Sequence, residues 1–319
     1  MKRREFVRRT SWAFAFFALL PVLSQGRYTQ SRSRKLIVDA DTGNEVDDLF
    51  AIVAALLAPS LRILGVTSAQ YHTSPQAPND SVGDSQRINR EIMDLLGKKD
   101  VPHPEGSNIP LVNQLRPQSS DASAFIMQEA RKMTEGEKLS IAVLGPCTNV
   151  ASALLLEPGI ADKIAVYYLG FWHNTESKTW SKREFNTNND PNAVDVLLNH
   201  PTLEFHVMTA TASQHLIFEK TIVDQHLKGK AGIADYLVDR WETFHRWWQT
   251  SDPEKKRWIM WDVALIMALA YPELASEGTF STPDDNLKRD IKAYTWIDPE
   301  AMSKMFWNLL DEHILVSRH

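Results

Sequence analysis

Residues 36–57 read LIVDADTGNEVDDLFAIVAALL. An apolar run, Leu36-Ile37-Val38, has the β-branched content of a buried strand, and Leu49 to Leu57 has the length and composition of an apolar helix. Between them lies DADTGNEVDD, residues 39–48, with four aspartates and one glutamate. Five carboxylates on one strand-to-helix turn repel one another and resist desolvation unless a cation or bound water compensates them. The turn therefore reads as a site for a hard, oxygen-preferring metal such as Ca²⁺ or Mg²⁺.

The pattern set by this first unit repeats along the chain. Strand-like runs at Leu36–Asp41, Leu61–Ala69, Leu139–Gly145, Lys163–Gly170 and Leu203–Thr209 are separated by helical patterns. These span Asp47–Ala58, Ser81–Leu96, Ala122–Thr134, Asn149–Leu156 and Asn192–Asn199. Strand and helix alternating at this spacing predict an α/β fold, an open, mostly parallel sheet flanked by helices. In such sheets ligands bind beyond the carboxyl ends of the strands, where the acidic turn sits. After about Thr211 the pattern becomes helical, with an aromatic-rich stretch from Ala231 to Gln249 followed by Trp258 and Trp261. Packing is the favoured reading of those aromatic residues over a ligand platform. A strand at Ile291–Ile297 and a helix at Pro299–Ile314 close the pattern.

The bulk numbers narrow the class. With 319 residues and 43% hydrophobic content, the chain can bury a large core. A net charge of −5 gives no basic field for nucleic acid. The single cysteine, Cys147, excludes a disulfide framework and reads as a small buried residue. Residues 1–26 are expected to be a signal peptide of the twin-arginine type, with Arg3-Arg4, Phe6 and Val7 ahead of an uncharged run from Ser11 to Leu23. That run is short of the roughly 20 residues a spanning helix needs. Residues 27–35 read as a polar linker and 36–319 as the folded domain. The expectation is export to the periplasm or cell surface, with membrane contact only through the signal segment.

Further motifs follow in order. Gly65-Val66-Thr67-Ser68 ends the second strand, and Val101-Pro102, Gly106 and Pro110-Leu111 mark a loop. Gly145-Pro146-Cys147-Thr148-Asn149 runs from a middle strand into a helix. Glu184-Phe185-Asn186 precedes Asp190-Pro191, and Trp261-Asp262 opens a late helix. From Leu36 to Glu273 this order resembles the inosine–uridine nucleoside hydrolase family. The resemblance implies a Rossmann-like fold, a Ca²⁺ cofactor, and hydrolysis of the N-glycosidic bond of a nucleoside or related riboside. It also implies roles. Asp41 and Asp48 would be calcium ligands, completed by the Thr148 carbonyl and Asp262, and Asp41 would also act as the base. Asp47, Glu184 and Asn186 would bind the ribose. A homo-oligomer is expected.

The chain departs from the family pattern in three places. The usual opening is DxDxGxDD; here Gly43 is followed by Asn44-Glu45-Val46 before Asp47, two residues more. The family's asparagine after the second strand has no counterpart, and His72 or Gln70 stands nearest. Asn174 is the nearest match for a further ribose-binding asparagine. Where many members have a histidine before the late aspartate, this chain has Trp261. Tryptophan there implies activation of a purine or other aromatic leaving group by stacking, with His173 or His245 as alternative acids. Two other readings compete. Asp39-Ala40-Asp41-Thr42 also resembles the haloacid-dehalogenase phosphatases, with Asp39 as nucleophile. A secreted ribose- or carbohydrate-binding protein without turnover is the third.

Overall fold

The computed structural model describes residues 33–316, so the expected signal peptide lies outside the described residues. Eleven strands occur among them: β1 (Arg34–Ala40), β2 (Leu61–Ser68), β3 (Leu139–Val143), β4 (Ile164–Gly170), β5 (Trp172–Asn174), β6 (Thr179–Ser181), β7 (Glu204–Thr209), β8 (Ile217–Glu219), β9 (Arg257–Ile259), β10 (Ala275–Ser281) and β11 (Asp290–Ile297). Eleven α-helices accompany them. The first six are α1 (Asp47–Leu57), α2 (Ser81–Leu95), α3 (Asp121–Arg131), α4 (Thr148–Leu156), α5 (Phe185–Asn189) and α6 (Pro191–Asn199). The rest are α7 (Ala210–Ser213), α8 (Lys220–Leu227), α9 (Gly232–Thr243), α10 (Trp261–Ala270) and α11 (Pro299–Val316).

Seven strands form one sheet in the order β10-β11-β7-β4-β3-β1-β2. All neighbours are parallel except β10, which runs antiparallel to β11. The expected open, mostly parallel sheet flanked by helices is thus the fold, and the early elements fall within a few residues of their expected limits. Strand β1 starts at Arg34, inside the stretch read as linker. It also explains the sheet's layers. Leu36, Val38 and Ala40 join the apolar cluster containing α1, α10 and α11, while Ile37 joins the opposite cluster with α3, α4 and α6. Each fully buried aliphatic or aromatic side chain contributes roughly 1.5–3 kcal/mol.

Chain order reverses at β1. The chain leaves β1 through α1 to reach β2 on one side, whereas β3 pairs with β1 on the other. The carboxyl ends of β1 and β3 therefore border the crevice expected at such a switch point.

Helix α1 is buried from Asp47 to Leu56 and α10 from Asp262 to Ala270. A helix apolar on all sides is stable only when other elements surround it. These two pack against each other, and their first turns meet: the Asp262 N–H donates to Asp47 Oδ2 at 3.1 Å. Two residues some two hundred positions apart are thereby joined at the sheet's edge.

Three features were not legible as elements: the β5–β6 hairpin, the β8–β9 hairpin and the edge strand β10. The helical pattern read through Gln249 also stops early, with α9 ending at Thr243. Beyond it the buried Arg246 guanidinium donates to the Asp252 and Arg257 carbonyls and to the Asp252 carboxylate. Those bonds hold the following residues in successive turns rather than another turn of helix.

Candidate functional site

At the crevice, the carboxyl end of β1 is braced before the turn begins. Asp39 Oδ1 accepts from Thr67 Oγ1 of β2 at 2.6 Å and from Asn149 Nδ2 of α4 at 2.9 Å. Asn149 also donates to the Ser68 carbonyl at 3.0 Å. Burial pushes the Asp39 carboxyl up to about 6 despite these two donors. The turn itself is closed by the Asn44 N–H on the Asp41 carbonyl, 2.8 Å, and is tied to α2 by Thr42 Oγ1 on Asn89 Oδ1, 2.5 Å. Gly145, after β3, is required by proximity: a Cβ there would lie 2.7 Å from Asp41 Oδ1.

The result is a buried group of four aspartates. Asp47, Asp48 and Asp262 each offer an oxygen within 4.8 Å of the others. Asp41 lines the same cavity and adds to the rise of Asp48 and Asp262 by repulsion. One oxygen of each, Asp41 Oδ2, Asp47 Oδ1, Asp48 Oδ1 and Asp262 Oδ1, has no hydrogen-bond partner among the described residues. Four buried carboxylates around one cavity, each with an unsatisfied oxygen, are an unstable arrangement alone and a fitting donor set for a cation. The first turns of α1 and α10 direct positive dipole ends at them, which offsets only part of the repulsion.

Burial raises all four carboxyls, Asp47 to about 6, with mutual repulsion adding to the rise in Asp41, Asp48 and Asp262. A folded-state value above the unfolded value of 3.8 means that the folded chain binds more protons. Without cations, stability should therefore fall as pH rises from about 4 through 6. A divalent cation should reverse the loss, because it binds only the ionised folded site. We expect chelated protein to melt lower at pH 7.5 than at pH 5, and calcium to raise the melting temperature more at pH 7.5. Equal calcium shifts at both values would contradict a buried carboxylate site.

These acids line one wall of a cavity of about 280 Å³. Leu144, Asn44, Glu184 and Asn186 also line it, and Phe185, Trp247, Trp248 and Trp261 supply an aromatic side. Asn186 Nδ2 donates to the Leu144 carbonyl at 2.6 Å and to the Leu169 carbonyl at 3.3 Å, tying the ends of β3 and β4 together. Glu184 caps α5: its oxygens accept from the Asn186 and Thr187 backbone at 3.0 and 2.9 Å and from Thr187 Oγ1. The exposed Arg183 stands at the rim.

Of the residues expected from sequence, Asp41, Asp47, Asp48, Glu184, Asn186, Trp261 and Asp262 converge here. Three do not. Thr148 is the first residue of α4, so its carbonyl is directed into the helix, and its hydroxyl donates to Asp190 at 2.7 Å. Leu144, four positions earlier, lines the cavity, and its carbonyl accepts from Asn186 Nδ2. His72 is an exposed loop residue whose Nδ1 lies 2.5 Å from Gln70 Oε1. Gln70 itself is buried away from the cavity, beside Thr148. Asn174 accepts from the Glu176 and Ser177 N–H groups in the tip of the β5–β6 hairpin. Neither His173 nor His245 lines the cavity; His173 is packed between Trp180 and Phe280. The aromatic residues divide: Trp241 and Trp258 are core, as the packing reading has it, while Trp247, Trp248 and Trp261 face the cavity. Nothing in their spacing distinguishes the two sets, because the chain leaves its helix between them.

Comparison with known proteins gives a consistent picture. Residues 36–298 match the family model described as inosine-uridine preferring nucleoside hydrolase. The probable uridine nucleosidase 2 of Arabidopsis thaliana is 23% identical over 305 residues, covering 83% of this chain and 90% of that protein. Uridine nucleosidase 1 of the same plant is 29% identical over 189 residues, about half of each chain, 52% and 53%. The fold is similar to that of a purine-preferring ribonucleoside hydrolase from Gardnerella vaginalis, with a TM-score of 0.66 at 19% identity, covering 89% of this chain and 100% of that one.

Proposed function

Because the chain belongs to the inosine-uridine preferring nucleoside hydrolase family, whose chemistry is hydrolysis of the N-glycosidic bond of nucleosides, we propose a calcium-dependent hydrolase acting on purine ribonucleosides or a related N-riboside with an aromatic leaving group. The observation that carries this reading is the group of four buried carboxylates with unsatisfied oxygens, sharing one small cavity with an aromatic lining.

The donors suit calcium. Carboxylates, a backbone carbonyl and the Asn44 amide oxygen form an all-oxygen set, and Asn44 Oδ1 is also buried without a partner. Asp41, Asp48 and Asp262 would hold the ion, with the Leu144 carbonyl in place of Thr148. A calcium ion held there would orient the ribose diol and make a water molecule more acidic.

The remaining chemistry belongs to the chain's own groups. Asp47 has one oxygen on the Asp262 N–H and one free, which leaves an acceptor for a ribose hydroxyl. Asn186 spends its amide N–H groups on two carbonyls and retains its oxygen for the sugar. As the bond between C1′ and the base nitrogen breaks, positive charge grows on the ribosyl ring, and the surrounding carboxylates stabilise it electrostatically. Asp41 takes a proton from the attacking water, whose oxygen forms the new bond to C1′. The electron pair of the broken bond leaves with the base. No histidine among the described residues lines the cavity, so Trp261 assists departure by stacking, which raises the base's affinity for a solvent proton.

The test is release of free base from a panel of nucleosides, with and without chelator, by wild type and Trp261→Ala. Loss of one base–aromatic stack should lower kcat/KM for inosine by about 10- to 100-fold. A nitrophenyl riboside, whose leaving group needs no protonation, should lose far less. Equal losses on both substrates would remove stacking from the mechanism. A wild-type protein that binds calcium and ribose yet releases no base would replace the hydrolase with a binding protein.

A further inference from the structure

The longer acidic turn places Glu45 in the lining of the same cavity, beside the aspartates, with each of its oxygens turned to an indole N–H. We propose that Glu45 is a positioning residue for the aromatic wall: its carboxylate holds the indoles of Trp248 and Trp258 and so fixes the surface against which the leaving base lies. The inference rests on the nucleoside reading of the cavity and adds to it a residue that decides affinity for the base.

One Glu45 oxygen accepts from Trp248 Nε1 and the other from Trp258 Nε1, the latter at 3.2 Å. The two donors differ in what holds them. Trp258, in β9, is wholly buried and packs on Trp241 and Phe244 with ring centroids 5.2 and 5.8 Å away. Trp248 lies in the turn after α9 and lines the cavity. Glu45 therefore links a fixed indole in the core to one at the site. Arg246 also meets both rings, with its guanidinium carbon 4.8 Å from the Trp258 ring centroid and 5.5 Å from that of Trp248.

Trp248 in turn meets Trp261, ring centroids 5.2 Å apart at 58°. The stacking residue of the proposed mechanism thus has a neighbour whose orientation depends on Glu45. A ring already held in place loses less freedom when a base packs on it, so affinity for the base rises. The adjacent Trp247 provides an internal contrast. It lines the same cavity, but its Nε1 has no partner among the described residues. Only one of the two neighbouring indoles is tethered, and the tether is the residue supplied by the longer turn.

The experiment measures binding of free hypoxanthine to the calcium-saturated full chain by titration calorimetry, alongside turnover of inosine and a nitrophenyl riboside. Glu45→Ala should weaken hypoxanthine binding about tenfold, the effect of losing a hydrogen bond to a charged group. Glu45→Gln, which can still accept one indole N–H, should recover part of that loss. Trp248→Phe should cost a similar factor, and the Glu45→Ala/Trp248→Phe double variant should be no worse than either single one. The same cycle with Trp247→Phe should be additive. Inosine kcat/KM should fall with base affinity and nitrophenyl riboside turnover by less. Unchanged hypoxanthine affinity in Glu45→Ala, additive losses with Trp248→Phe, or absence of hypoxanthine binding by wild type would each overturn the role. Should Glu45→Ala not fold, Glu45→Gln paired with Trp248→Phe carries the same comparison. Failure of the hydrolase reading would show separately, as wild type that releases no base, and the affinities would still decide the role of Glu45.

Discussion

Replacing Asp41 by asparagine is expected to lower kcat for nucleoside hydrolysis by about 10³- to 10⁴-fold, within the range that a positioned general base contributes. Asparagine keeps the shape that fits against Gly145, where a Cβ would already approach Asp41 Oδ1 to 2.7 Å. It cannot take a proton from water, and it removes one negative charge from the cation's surroundings. The substitution should leave the fold intact, because the turn is closed by the Asp41 backbone carbonyl rather than by its side chain. Single-turnover kinetics at saturating calcium separate the two losses. If chemistry remains slow when the cation site is full, Asp41 acts on the proton; a rate within tenfold of wild type at saturating calcium would assign the base elsewhere.

Replacing Asp262 by alanine should produce two effects of opposite sign. Affinity for calcium should fall by at least about 100-fold, since the loss is a direct donor rather than an outer contact. Stability in chelator at pH 7.5 should rise, because one of four mutually repelling buried carboxylates is gone while the backbone N–H to Asp47 remains. A gain of about 1 kcal/mol corresponds to a melting temperature higher by roughly 2–4 °C in a domain of this size class. Calcium should no longer raise the melting temperature of the variant appreciably. Calorimetry and thermal melts read both effects. A variant that melts lower than wild type in chelator would mean that Asp262 is a structural partner and not a cation donor.

Stability given up locally for function is what a group of unsatisfied carboxylates represents. It is also why the acidic turn stood out in one dimension. Residues 39–48 carry more charge than helix capping can use, and no tertiary information is needed to see it. The same holds for the layered fold. The alternation of Leu36–Asp41, Asp47–Ala58 and Leu61–Ala69 fixes strand, helix and strand by period alone, and parallel pairing follows from the connection through a helix.

Other features depend on where distant segments meet. Asp262 as an isolated residue is an ordinary first-turn aspartate; it becomes part of a site only because α10 is apolar all round and must be buried beside α1. Leu144 carries no side-chain signal, since the part proposed for it is played by a main-chain carbonyl at a strand end. Gln70, His72 and Asn174 show the converse. Each is a polar residue near the right place in the chain, yet each is held by a local hydrogen bond, Gln70 and His72 to one another and Asn174 to its own hairpin tip.

The amino-acid sequence by itself determined the α/β layering, the acidic turn after the first strand and the chemical character of the site, because periodicity and local charge density are properties of neighbouring residues. Only the tertiary structure decided which indoles and which strand-end residues line the cavity. It also decided that Glu45 ties the acidic turn to the aromatic wall, since those contacts join positions about two hundred residues apart through packing that no local pattern encodes.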